Sequence, residues 1–179
     1  MSEMKWIFPG LNSDVQSQVS KDELIEYLAT KTGSFRFSRL NEPDHAIEGN
    51  VYSTSFTLYF PSFGENCFRA ICEGRIEEKE EGSKTSLATR LIPIGNLIFL
   101  VYILLLAVLL IFVILSLFTT IPTVSTSLVF LGFLAVRFAT WHFAMKQITE
   151  LHTYISHIIK TRSNKAAHEI AGTGGAIDS

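Results

Sequence analysis

Between Arg90 and Arg137 no side chain carries a charge, and Leu, Ile, Val and Phe occupy most positions. A helix needs ~20 apolar residues to cross the hydrocarbon core of a bilayer, so this run has room for two passes. Thr119, Thr120, Pro122, Thr123, Ser125, Thr126 and Ser127 break it near its middle. The pattern predicts a hairpin of two transmembrane helices, about 94–117 and 121–141, within a segment 92–145. Pro93 suits a first helical turn, where its missing N–H would have had no partner. Trp141 and His142 are residue types expected where the second span leaves the hydrocarbon.

Ahead of the hairpin the periodicity changes twice. Ser20-Lys21-Asp22-Glu23 reads as a capping box, with the Ser20 hydroxyl accepting from the Glu23 amide and the Glu23 carboxylate reaching back to Ser20. A helix to about Lys31 should follow, with Leu24, Ile25 and Leu28 as its apolar stripe and Gly33 as its stop. Residues 35–37, 46–52, 56–60, 67–77 and 85–91 alternate or cluster as strands do. Asn41-Glu42-Pro43-Asp44, Pro61-Ser62-Phe63-Gly64 and residues 78–83 supply the turn chemistry between them. Residues 1–19 read as irregular, with a turn at Pro9-Gly10. Successive hairpins predict an antiparallel β-meander. Residues 1–91 are therefore expected to form a small α+β domain, one helix against four or five strands. The fold class is a membrane α+β protein, this domain followed by an α-helical transmembrane hairpin.

Beyond the second span Ile148, Leu151, Ile155 and Ile158 recur every three or four residues, which predicts that the span continues as a cytoplasmic helix over 146–162. Residues 163–179 are small, polar and Gly-rich, and predict a disordered tail.

Charge adds orientation. The net charge of −2 gives no case for a nucleic-acid partner. Lys84 and Arg90 precede the first span, Lys146, Lys160, Arg162 and Lys165 follow the second, and the connection holds no cation. Cytoplasmic loops collect Lys and Arg, so both termini are expected in the cytoplasm. No apolar core of signal-peptide length follows Met1, so the first span is expected to insert the chain.

Candidate chemistry is sparse. Cys67 and Cys72, five positions apart on one strand, would face opposite sides of a sheet, so packed thiols are expected rather than a disulfide. Arg137 is the one charge placed inside a span, and no acidic residue lies between Glu81 and Glu150 to pair with it. It reads as an interfacial anchor, or as a contact for a partner chain, an anionic lipid or a water-filled pore. Together with Trp141 and His142 it forms the expected membrane-interface or partner contact. Ser125, Gly132 and Ala139 recur at seven-residue spacing and allow close helix approach, inside the hairpin or between copies. His152, His157 and His168 lack the spacing of three or four that metal ligands on one helix face need. Glu77, Glu78, Glu80 and Glu81 around Lys79 read as a solvated hairpin tip, with Gly82 the one hint of a cation loop. Gly64 and Gly74 stand in no strand–glycine–helix unit. Arg69, Glu73, His45 and Arg75 are the best candidates for an enzymatic role. No cofactor or metal set is expected.

The stretch Asn66-Cys67-Phe68-Arg69-Ala70-Ile71-Cys72-Glu73-Gly74-Arg75-Ile76, with Arg90-Leu91 before the hairpin and Ile47-Glu48-Gly49-Asn50-Val51 upstream, resembles uncharacterised small bacterial membrane proteins. Those combine a strand-rich soluble domain with a two-helix hairpin. The resemblance covers about 46–117 and departs at Ala70, where that family often has proline. It implies the topology and a bacterial inner-membrane location, and carries no activity.

The resulting expectation is a non-enzymatic, membrane-tethered interaction or sensing module that works with a protein partner or as a homo-oligomer. An oligomerising pore or permeabilising effector is the alternative, and an enzyme at the membrane face a second one.

Overall fold

The computed structural model describes residues 9–34, 46–61, 69–116 and 123–173. The elements run β1 (Gly10–Ser17), α1 (Lys21–Lys31), β2 (Thr32–Ser34), β3 (Ile47–Val51), β4 (Ser55–Tyr59), β5 (Ala70–Lys79), β6 (Gly82–Leu91), α2 (Pro93–Ser116) and α3 (Thr123–Thr173). Residues 35–37, the turn at 41–44, His45, Cys67 and the connection between the long helices, all part of the sequence reading, lie outside the described residues.

The six strands form one sheet in the order β1-β6-β5-β4-β3-β2. β3 to β6 are the expected antiparallel meander. Two edges depart from expectation. Residues 10–17, read as irregular, form β1 against β6, with Val15 opposite Thr85. Ser13 and Ser17 at inward positions hide this strand from an apolar-alternation search, because between them Val15 alone contrasts with the outward Asn12, Asp14 and Gln16. At the other edge β2 pairs parallel to β3, so the sheet is mixed rather than a pure meander. Gly33 therefore does not cap α1. Thr32 does, donating its backbone N–H to Ala29 O, and Gly33 is already in a strand.

Half of the expected capping box forms. Ser20 Oγ accepts from the Glu23 amide at 3.4 Å. The Glu23 carboxylate turns away to Arg162 on α3. A different carboxylate serves the first turn of α1: Glu78, near the β5–β6 tip, accepts the Lys21 amide at 2.9 Å. A negative charge there suits the unpaired N–H groups and the positive helix end.

One sheet face carries the core. Phe56 and Leu58 of β4, Cys72 and Ile76 of β5, Leu87 and Leu91 of β6, and Val15 of β1 are buried on it. Leu24 and Leu28 of α1 cover it on one side, and Ala144, Ile148, Leu151, Ile155 and Ile159 of α3 join the same cluster. Gly74 makes room for this layer, since a Cβ there would sit 2.0 Å from the Phe56 ring. At the β5–β6 tip Glu80 and Glu81 keep negative φ, and Gly82 takes the positive φ of 117° that the reversal needs. The opposite face is polar, with Arg90 to Glu73 at 3.0 Å and Lys84 to Asp14 at 2.8 Å.

The long helices join this layer without a hinge. The Ile92 amide still donates to Arg69 O at 3.0 Å, and the Ile92 carbonyl accepts the Asn96 amide, so β6 passes into α2 at Pro93 within a residue or two. α3 is one helix from Thr123 to Thr173. The second span and its expected continuation over 146–162 are consecutive parts of it, and the segment from 163, expected as a disordered tail, stays in the same helix as far as Thr173. Its Ile148 to Ile159 stripe packs on the sheet, so that part belongs to the core of the strand domain.

Pro93–Leu115 and Ser127–His168 contain helix windows long and apolar enough to cross a membrane, and only 6% of either window is buried. A core helix of a soluble fold would be mostly covered. Here Leu104, Ile111, Phe112, Leu128, Leu131 and Phe138 all face outward. Soluble monomers rarely expose apolar patches beyond a few hundred Å².

Candidate functional site

Three polar clusters sit where this architecture joins its parts. The first lies between the long helices. Arg137 on α3 places its guanidinium 4.3 Å from the centroid of Phe99 on α2 and 5.0 Å from that of Trp141 on its own helix. The two rings meet edge to face at 5.9 Å. Phe99 and Arg137 are thus at one level of the hairpin, one turn before Trp141. Cation–π contact of this kind stabilises by about 0.5–1 kcal/mol at exposed sites and by about 2 kcal/mol when desolvated. Arg137 Nη1 and Asn96 Oδ1 are buried without a hydrogen-bond partner.

Trp141 is half-buried in this cluster, whereas His142 is exposed and outside it. Gly132 and Ala139 are exposed rather than packed on α2. A Cβ at Gly132 would meet nothing within 4 Å. The small-residue face therefore does not form the hairpin's internal contact at these two positions; the Ser125 side chain lies outside what is described.

The second cluster fastens α3 to the sheet. His152 Nε2 lies 2.8 Å from Ser13 Oγ on β1, and Nδ1 lies 2.8 Å from Thr89 Oγ1 on β6. Burial lowers its pKa from the ordinary 6.5, because a charged imidazole loses solvation there. With a neutral ring one nitrogen donates and the other accepts, and the rotating hydroxyls suit either tautomer. Farther along α3, Ser163 Oγ accepts the Gln18 amide at 2.9 Å, and Arg162 pairs with Glu23 while lying over the Tyr27 ring. His157 and His168 are not brought to His152, and no group of three metal-ligating side chains occurs among the described residues.

The third cluster is on the polar sheet face. Arg69 Nη2 donates to Glu48 Oε2 at 2.9 Å, and both side chains are almost wholly buried. Arg69 Nε donates to Phe60 O at 2.9 Å, and the guanidinium lies 5.1 Å from the Tyr59 centroid. Burial raises the Tyr59 pKa, against the nearby Arg69 charge. Glu48 was not singled out by sequence; only its place in a strand rung shared with Tyr59 shows its role.

Arg75 and Glu73 do not join this cluster. Glu73 pairs with Arg90, and Arg75 lies 3.7 Å from Glu77 at the exposed surface. Cys72 points into the core, where burial pushes its thiol up to about 11. Such a thiol stays protonated and is a poor nucleophile. No described arrangement joins a nucleophile, a base and an orienting acid. No protein-family model matches the chain, and no curated protein matches it.

Proposed function

We propose that the chain is a membrane-tethered interaction or sensing module, anchored by α2 and α3 in a bacterial inner membrane with both termini in the cytoplasm. The observation that carries this reading is the shared core: α3 leaves its apolar segment and buries Ala144, Ile148, Leu151, Ile155 and Ile159 against the sheet without a break. A tether meant only to localise a domain needs no such coupling. A module whose hairpin reports on, or responds to, what the sheet binds does need it. The polar face, with Thr57, Glu73, Ser86 and Arg90, is the surface left for a protein partner or a second copy.

The test has two stages. Cysteine placed at Ser86 should be labelled only from the cytoplasmic side of sealed membranes. The intact protein, extracted in native nanodiscs, should then have the mass of a defined complex, either with one partner or with itself. Labelling from the outside overturns the orientation, and a bare monomer under all mild conditions overturns the interaction role. Ion flux through liposomes holding the pure protein would favour the effector reading instead.

A further inference from the structure

Arg137 has no ionic partner in the hairpin. Its side chain touches the Phe99 and Trp141 rings, and Nη1 is buried without an acceptor. The sequence holds no carboxylate between Glu81 and Glu150, and Glu150 lies beside Lys146 at 3.9 Å. Aromatic faces offset part of the desolvation of a guanidinium but leave its charge unneutralised. An anion is the missing component, and Arg is suited to phosphate because its planar fork matches two oxygens.

The surroundings say what carries that anion. In the turns of α3 just before Arg137, toward the α2–α3 connection, a groove of about 420 Å³ opens between the helices. Tyr102, Val129, Gly132, Phe133 and Val136 line it. Tyr102 is one turn past Phe99 on α2, and Phe133 is one turn before Arg137 on α3. From Arg137 to Val129 the groove follows α3 for ~12 Å, at 1.5 Å per residue. Its lining is apolar apart from the Tyr102 hydroxyl, and the absent side chain of Gly132 leaves the wall open. A guanidinium beside the last turn of an apolar groove, one turn before Trp141, matches a lipid in shape and charge. An acidic peptide would match the charge alone.

We propose that Arg137 and this groove hold one anionic phospholipid of the leaflet nearest the sheet. Its phosphodiester sits on the guanidinium edge not covered by Phe99 and Trp141, and one acyl chain lies along Tyr102, Val129, Gly132, Phe133 and Val136. The site rests on the membrane reading above.

The test uses the full-length protein in nanodiscs of equal phosphatidylglycerol and phosphatidylcholine, released into native mass spectrometry. The wild type should retain one phosphatidylglycerol. Arg137→Met should lose it by removing the cation, and Gly132→Phe should lose it by filling the groove with Arg137 intact. Hydrogen exchange of β6 should match wild type in both variants. Equal retention by wild type and Arg137→Met, equal retention of the two lipids, or a lipid-free dimer that Gly132→Phe dissociates would each overturn the lipid site. Alkaline carbonate separates the two levels of failure. Protein that it extracts from membranes overturns the tether and the site together, whereas inserted, lipid-free protein overturns the site alone.

Discussion

The imidazole of His152 reaches Thr89 on β6 with Nδ1 at 2.8 Å, while its other nitrogen holds Ser13 on β1 at the same distance. One side chain of the long helix thus closes the edge of the sheet. Replacing it by leucine keeps the volume and strands two hydroxyls. Each lost hydrogen bond of this part-buried kind costs about 1 kcal/mol, so His152→Leu should destabilise the strand layer by roughly 1–2 kcal/mol. Urea titration in detergent, followed by hydrogen exchange of β6, measures this.

The same residue sets a pH dependence. Burial holds the folded pKa below the ordinary 6.5 of the unfolded chain. The unfolded state therefore takes up a proton first as pH falls. This contribution is complete above pH 6.5 and is lost progressively as pH drops toward the lower folded value. Urea midpoints should be equal at pH 7.5 and 8, and lower at pH 6. In His152→Leu that decline should be reduced.

Arg69 and Glu48 form a nearly buried pair, and removing one member should be worse than removing both. Arg69→Met leaves the Glu48 carboxylate without its guanidinium and should cost roughly 3–5 kcal/mol. The double change Arg69→Met with Glu48→Leu should cost clearly less than the sum of the singles. A double-mutant cycle by urea titration decides it, and strict additivity would remove the pair from the account.

Gly74 and Phe56 predict a size-dependent defect. Alanine at residue 74 brings a methyl group onto the ring and should cost roughly 1–3 kcal/mol by overpacking. Shrinking the neighbour in the same chain, with Phe56→Leu, should recover part of that loss. Gly132→Ala serves as the contrast, since its Cβ enters open space and the stability of the sheet should not change.

Cys72 should resist alkylation. Its thiol titrates near 11, so iodoacetamide at pH 8 should leave it unmodified until the sheet unfolds. Peptide mapping after timed labelling, with and without urea, gives the protection directly.

The elements that could be read from sequence were those with one apolar face toward a core, or, for the long helices, a run of apolar residues on every side. β4, β5 and β6, the capped start of α1 and both long apolar helices follow from periodicity or hydropathy. β1 escaped because an edge strand with Ser13, Val15 and Ser17 inward and polar residues outward has little apolar contrast. The helical continuity of α3 through residues 163–173 escaped because its fixing contacts are long-range: Ser163 is held by Gln18, and Arg162 by Glu23. The Arg137 site was half legible. Its isolation from acidic residues is a sequence fact, whereas the Phe99 ring that receives it is brought there by the hairpin. Glu48 looked like an ordinary strand carboxylate until the register set it beside Tyr59.

β6 enters α2 at the end opposite the Glu80–Glu81 reversal. Ten extended residues separate that acidic corner from the start of the apolar helix, a length of ~33 Å at 3.3 Å per residue. Mobile ions screen charge over ~8 Å at physiological salt. The corner therefore lies several screening lengths from the first turn of α2. Charge at the start of α2 thus neither repels nor shields it. Anything that meets it meets its charge apart from whatever surrounds the start of α2.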